Sequence, residues 1–476
     1  MPAQRSDAAA RQADLERAAR LRRLSDEDRD VIRLANEPGY GRWREQIIAI
    51  GGCGHPVYLS GSTITRDGAT GEILSAYSTA GEPGERLAVR CRNRRASVCA
   101  PCSRLHAGDT FHLIRAGLSG GKSVPEAVRE RPRLFVTLTA PSFGPVHRAT
   151  DGRPCRPRRD DPRCDHGLPS GCGLAHTDGD ALVGQPLCPA CYDYVGHVLW
   201  HAHAGRLWDR FTTAVRRHLA TTAHVPRSRL GELLTVSFAK VAEYQRRAAV
   251  HFHAVVRLDG PGGPGDPPPV WATPDVLLDA VHDAAASGFV TVPDSDAYGT
   301  ERVAWGAQLD ARPIRAFGDG DGLSDEAVAA YVGKYVSKGA ADTGAGLDHR
   351  INGPADIRAA VVSSHVRALM GVCWRLGGLP ELEPLRLRAW AHTLGYRGHI
   401  LTKSRRYSTT YGALRAERAD HQHAGTGLAD NPDAITEAAW RYVGSGHTPG
   451  AALLAAGIAE DLAINREVGR EEREFF

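Results

Sequence analysis

The strongest constraint on this chain is a pair of β-rich runs inside residues 233–258 that read as strand, turn, strand. The second run holds His251-Phe252-His253 between Val250 and Ala254-Val255-Val256. Side chains alternate along a strand, so both imidazoles leave one face and Phe252 leaves the other. With Arg246-Arg247-Ala248 as a three-residue hairpin loop, positions pair symmetrically about residue 247 and Glu243 lies directly opposite His251. Directly opposed residues share a face. Glu243, His251 and His253 therefore converge into an N₂O donor set suited to Mg²⁺, Mn²⁺ or another divalent ion with open coordination positions.

A second pattern supplies a nucleophile. Residues 324–338 have helical spacing, with Val328, Ala329, Val332 and Val336 on an apolar face. Tyr331 and Tyr335 are four residues apart, and Lys334 and Lys338 fall on the same polar stripe. Only five lysines occur in this Arg-rich chain, and two are here. A phenol beside ammonium groups deprotonates more readily and can attack an electrophile. Spacing leaves open which tyrosine acts first, with Tyr335 slightly favoured.

Three similar patterns lack that logic. His201 and His203 sit in a helical stretch, Tyr192 to Ala220, where side chains two apart diverge. Tyr407 and Tyr411 have Ser408, Thr409 and Thr410 between them instead of a lysine, and with Lys403, Arg405 and Arg406 they read as a phosphate- and base-stacking surface. Gly120-Gly121-Lys122-Ser123 has no preceding strand and no first glycine, so it is not a nucleotide-binding loop.

Nine of the ten cysteines lie before position 192, and such clustering points to zinc. Cys91, Cys99 and Cys102, with Cys53 upstream, make a four-thiolate set, for which His55 and His106 are rival ligands. Residues 143–191 are too polar to form a core and look like an inserted module held by metal. Cys188-x₂-Cys191 is half a site there, to be completed from Cys155, Cys164, Cys172, His166 and His176, with Cys164 and Cys172 preferred. About two structural zinc ions per chain are expected.

Basic residues are patchy. Residues 86–106 hold six arginines and no acid, among them Arg92, Arg94 and Arg95, and residues 386–416 hold seven Lys or Arg and no acid. Such patches neutralise phosphates, although the net charge is only +4. No apolar run approaches the roughly 18 residues of a membrane span. The charged N-terminus lacks the apolar core of a signal peptide, so a cytoplasmic location is expected.

The His-x-His strand followed by Tyr331-x-x-Lys334-Tyr335 resembles the HUH endonucleases that start rolling-circle replication, in their two-tyrosine class. Phe135-Val136-Thr137-Leu138-Thr139 before Pro141 is similar to the first motif strand of that superfamily. The strings CRNRRASVCAPCSRLHAGDTFHLIRAGL, PLCPACYDYVGHVLW and GYRGHILTKSRRYSTTYGALR, spread over about residues 45–420, resemble the RepSA-type replication initiators of actinobacterial plasmids and integrative elements.

The resemblance implies an α+β fold. It would comprise a polar helical or disordered arm (1–39), a zinc-binding, DNA-contacting module (40–125), and an HUH domain (130–345) whose antiparallel sheet carries helices on one side and the 143–191 insertion. A basic, mostly helical DNA-binding region (354–476) completes it. The implied activity is origin nicking through a 5′-phosphotyrosine link, with Tyr331, Tyr335 and Lys334 catalytic, Mg²⁺ or Mn²⁺ on His251, His253 and Glu243, and a host helicase and polymerase as partners. Lys338 would join the arginines named above and Lys403, Arg405 and Arg406 in holding DNA. Two competing readings are a two-tyrosine transposase and a zinc-finger regulator without catalysis. The second leaves Tyr331, Tyr335 and the two histidines unexplained.

Overall fold

A computed structural model describes residues 12, 24–160, 162–299, 301–315, 323–336, 344, 346–423 and 433–474. In chain order the elements are α1 (Asp26–Ala35), α2 (Tyr40–Ala49), β1 (Val57–Asp67), β2 (Ile73–Ser78), β3 (Leu87–Val89), α3 (Ala100–Ser119), β4 (Arg133–Leu138) and α4 (Tyr194–Thr222). Next come β5 (Thr235–Tyr244), β6 (Val250–Asp259), α5 (Pro274–Ser287), β7 (Phe289–Thr291), β8 (Arg302–Ala304), β9 (Leu309–Arg315), β10 (Leu323–Ser324) and α6 (Asp325–Val336). The remainder forms α7 (Pro354–Ala359), α8 (Ser364–Leu376), β11 (Leu401–Lys403), α9 (Tyr411–His423), β12 (Ala434–Ser445) and α10 (Pro449–Glu474). The elements gather into two units, one from Met1–His106 with Arg415–Phe476 and one from Ala107–Leu414.

The first unit joins distant parts of the chain. Strand β12 pairs antiparallel with β1 from Val57↔Ser445 to Asp67↔Ala434, and β2 and β3 complete a four-stranded sheet. A strand at 434–445 departs from the helical pattern expected of the C-terminal region. Its outward residues are exposed on both faces, so no buried alternation marks it in the sequence. Trp43, Ile47, Tyr58 and Ala455 form a small core that includes Cys53, Cys99 and Cys102. Gly52 sets the entry to Cys53: its φ is +69°, and an added Cβ would lie 2.5 Å from that of Ala459.

The second unit is built on a six-stranded sheet in the order β10-β9-β4-β6-β5-β11, antiparallel except for the short β10–β9 pair. The β5–β6 hairpin has the register that its three-residue loop predicts, with Glu243 opposite His251. Ala248 closes the loop at φ 63°, with its N–H donated to Gln245. Helices cover both faces of this sheet, where the sequence reading placed them on one. Val198, Leu199, Trp208 and Phe211 of α4 pack with Phe252, Ala254 and Val256 on one side. On the other side Val328, Ala329 and Val332 of α6 and Leu113 and Ile114 of α3 pack with Val241 and Val255. The reason is visible in β6, which is buried almost without interruption and so needs cover on both faces.

Two buried ion pairs fix this architecture. Arg257 and Asp259, both fully buried, meet at 2.8 Å, and Ser237 donates to Asp259. Arg133 at the start of β4 lies 3.0 Å from Asp325 in the first turn of α6, while Ser119 of α3 donates to the same carboxylate. The negative charge suits a helix N-terminus, and Ser324 caps the backbone N–H of Ala327. The start of α6 is thereby tied to the sheet. Arg133→Ala leaves the buried Asp325 carboxylate with Ser119 but no cation, and should cost about 3–5 kcal/mol in a denaturant titration.

Candidate active site and metal clusters

Glu243 and His251 face each other across the β5–β6 ladder, and His253 follows on the same face. Glu243 Oε2 lies 3.0 Å from Nε2 of His251 and 3.0 Å from Nε2 of His253, and the two Nε2 atoms are 3.1 Å apart. This near-equilateral triangle matches a face of an octahedron, where ligands about 2.1 Å from an ion lie about 3.0 Å from one another. Tetrahedral ligands at that length would stand about 3.4 Å apart. The donor set thus fits a six-coordinate divalent ion with three positions left open.

Its protonation state suits the same role. Burial opposes ionisation of Glu243, but the adjacent His251 and His253 rings outweigh it and hold the carboxyl at about 2. Burial lowers His253 below its ordinary value. At neutral pH the carboxylate is therefore charged and the His253 ring neutral, as metal ligation requires.

Helix α6 brings Tyr331 to this triangle. Its hydroxyl lies 2.9 Å from Nε2 of His253 and donates to Glu243 Oε2 at 3.3 Å. Phe135 on β4 steadies both rings: it stacks on His253 at 5.7 Å and meets Tyr331 edge-on at 5.8 Å. Lys334 lies one turn on, on the exposed side of α6. Tyr335 is in the same helix by its backbone, but its side chain and Lys338 lie outside the described residues.

Thr137 has a role that the sequence reading did not assign. It sits opposite His253 in the β4–β6 ladder, with Oγ1 3.0 Å from His253 Nδ1. When Nδ1–H donates to that hydroxyl, the Nε2 lone pair faces Glu243 and His251. Thr137→Val removes this acceptor and should weaken Mn²⁺ binding by about 10–100-fold, measured by calorimetry on the full chain.

Nine of the ten cysteines form three groups, and Cys373 belongs to none of them. Cys53, Cys91, Cys99 and Cys102 come together as expected, with Cys99 and Cys102 sulfurs 3.8 and 3.6 Å from that of Cys53. Tetrahedral zinc with bonds of about 2.3 Å has S···S edges of about 3.8 Å, so the set fits zinc. Neither His55 nor His106 belongs to this group. Burial pushes the Cys91 thiol up to about 11, whereas hydrogen bonds from Cys102 and Cys53 hold the Cys99 thiol below its ordinary value.

In the insertion, Cys164, Cys188 and Cys191 meet His166 in place of the preferred Cys172. The backbone explains the difference. Cys172 exchanges two backbone hydrogen bonds with Arg156, which sets it beside Cys155. His166, in the tight turn after Cys164, lies 3.2 Å from the Cys191 sulfur. Cys172 instead joins His147, Cys155 and His176.

The remaining expected contacts are mixed. Arg92 is exposed, while Arg94 and Arg95 are partly buried in the loop between β3 and α3. Arg405 and Arg406 are exposed, and Lys403 donates to the Ser408 carbonyl at 3.0 Å. Tyr407 does not form a stacking surface. It is fully buried over Gly117, with its hydroxyl on the Ile114 carbonyl and its ring beneath the Arg257 guanidinium. His201 and His203 are buried, each bonded to a backbone carbonyl. Among the described residues no helix is long and apolar enough to cross a membrane.

The profile of the family described as "RepSA: Replication initiator protein, pSAM2" matches residues 39–460. A curated "Replication initiator protein" from Streptomyces ambofaciens is 48% identical over 452 residues, covering 93% of this chain and 95% of that protein. No solved structure matches the chain.

Proposed function

Because the chain belongs to the RepSA family of replication initiator proteins, we propose that it starts rolling-circle replication by cutting one strand of an origin with a tyrosine hydroxyl. The observation that carries this reading is the Tyr331 hydroxyl, 2.9 Å from His253 and beside Glu243, at the open side of the donor triangle. In this reading residues 130–345 form an HUH endonuclease domain, and Tyr331 takes the first attack in place of the slightly favoured Tyr335.

A divalent ion held by Glu243, His251 and His253 would supply Lewis-acid polarisation of the scissile phosphate. The remaining steps belong to the chain. The Tyr331 phenol gives up its proton to solvent, and its oxygen bonds to phosphorus. The bond from phosphorus to the 3′-oxygen breaks, and that oxygen takes a proton from solvent to leave as a free 3′-hydroxyl. The 5′-phosphate stays on the tyrosine as an ester, so reversal rejoins the strand without ATP. Lys334 offsets charge developing on phenolate or phosphate. Tyr335, one helical turn on, provides a second phenol for the cut that ends a round while the first strand is still attached. Arg92, Arg94, Arg95, Lys403, Arg405 and Arg406 are assigned to phosphate contacts, and zinc is assigned to Cys53, Cys91, Cys99 and Cys102 and to Cys164, Cys188 and Cys191. Helicase and polymerase activities come from the host.

A supercoiled plasmid carrying the cognate origin tests this reading. Relaxation that depends on added Mn²⁺ or Mg²⁺ supports it. Binding of the plasmid without any nicking, under either metal, would leave only a DNA-binding regulator.

A further inference from the structure

The insertion between Phe143 and Tyr192 is closed at its neck by backbone bonds from Asp193 to Phe143, Leu187 to Pro145 and His147 to Gln185. Beyond the neck it has almost no core. Between Arg148 and Val183 the described residues bury only two side chains, Cys155 and His176. A segment of this length has to be ordered by something other than apolar burial.

Both buried residues belong to one donor group. His147, Cys155, Cys172 and His176 offer ligand atoms that all lie within 4.8 Å of one another. His147 Nδ1 is 3.2 Å from His176 Nε2, and the Cys172 sulfur is 3.4 Å from the same nitrogen. Tetrahedral zinc gives N···N edges of about 3.3 Å and S···N edges of about 3.6 Å. The surroundings match a metal site as well. Asp180 lies 2.7 Å from His176 Nδ1 and so fixes Nε2 toward the group, the carboxylate–histidine pairing found behind metal ligands. The Arg148 backbone N–H donates to the Cys155 sulfur at 3.2 Å, where it supports a thiolate.

We propose that His147, Cys155, Cys172 and His176 hold a structural zinc ion of their own, so that the insertion is a two-zinc module and the chain carries three structural zinc ions. The second ion of the module is the one on Cys164, His166, Cys188 and Cys191. The two sites divide the work: that set pins the base of the insertion next to α4, and the N₂S₂ set orders its outer part by clamping the Arg156–Cys172 bridge to the 147–150 segment. This inference is independent of the nuclease reading, since it concerns metal content alone.

The test is zinc per chain in the full-length protein, measured by plasma mass spectrometry after purification without chelator. A His251→Ala, His253→Ala background keeps the catalytic triangle from contributing. Three zinc per chain are expected. Cys155→Ser with Cys172→Ser should lower the count by one and leave the other two in place. His176→Cys retains four ligands, so it should keep three zinc and, in Co²⁺-loaded protein, intensify the thiolate charge-transfer band. This second variant decides the matter if the double serine variant is insoluble. Two zinc per chain with no change in the double variant would overturn the site. So would a Cys155–Cys172 disulfide in freshly purified, zinc-replete protein, or a Co²⁺ spectrum that His176→Cys does not alter.

Discussion

Replacing His251 and His253 together by alanine is expected to lower nicking by on the order of 10³-fold, the equivalent of losing some 4 kcal/mol of phosphate polarisation. Binding to uncut duplex should stay nearly intact. The separation follows from the placement of these residues. Both imidazoles point to one face of β6, while the core on the opposite face is carried by Phe252 and Ala254, which the variant leaves alone. The basic segments assigned to phosphate contacts, 92–95 and 403–406, lie elsewhere in the sequence. Glu243→Ala should be milder, shifting the metal concentration needed for activity while leaving both imidazoles. Full activity of the double histidine variant would remove the metal from the account.

The second large effect concerns the tyrosines. Tyr331→Phe keeps the ring against Phe135 and His253 but deletes the oxygen that sits by the donor triangle. First-strand cutting should fall steeply, by about 10²-fold or more, because no other positioned phenol replaces it without cost. Tyr335→Phe should spare the first cut and impair the second, leaving replication products that are not resolved into single circles. Only Tyr331→Phe with Tyr335→Phe should lose every covalent adduct. A gel assay with a labelled origin oligonucleotide, scoring cleavage and joining separately, distinguishes the three variants.

What was legible in the sequence was mostly local. The β5–β6 hairpin could be placed in register because its loop is short, and that register alone sets Glu243 against His251. The α6 pattern was legible because Val328, Ala329 and Val332 recur at helical spacing, and these are the residues that pack on the sheet. Non-local pairings were not. Thr137 meets His253 because β4 lies beside β6, yet the insertion and α4 intervene between the two strands, and no turn fixes their register. The strand at 434–445 pairs with residues near 60 and buries little, so neither proximity nor alternation announces it. Cys172 was preferred as a partner of Cys188 and Cys191, whereas its bonds to Arg156 decide its neighbours. Tyr407 sits among polar residues in sequence, and only the missing side chain of Gly117 makes room for its burial. The cover on both faces of the sheet was not legible either, because His251, His253, Arg257 and Asp259 interrupt the apolar positions of β6 although all of them but His251 are buried.

The most direct test of the account is the site of covalent attachment. Wild-type protein is incubated with Mn²⁺ and a single-stranded origin oligonucleotide, digested with trypsin and nuclease, and the nucleotide-bearing peptide is sequenced by mass spectrometry. The account predicts a phosphotyrosine ester on Tyr331, with Tyr335 labelled when Tyr331 is replaced by phenylalanine. An adduct on Tyr411, on a serine, or on no residue while the strand is nonetheless cut would contradict it.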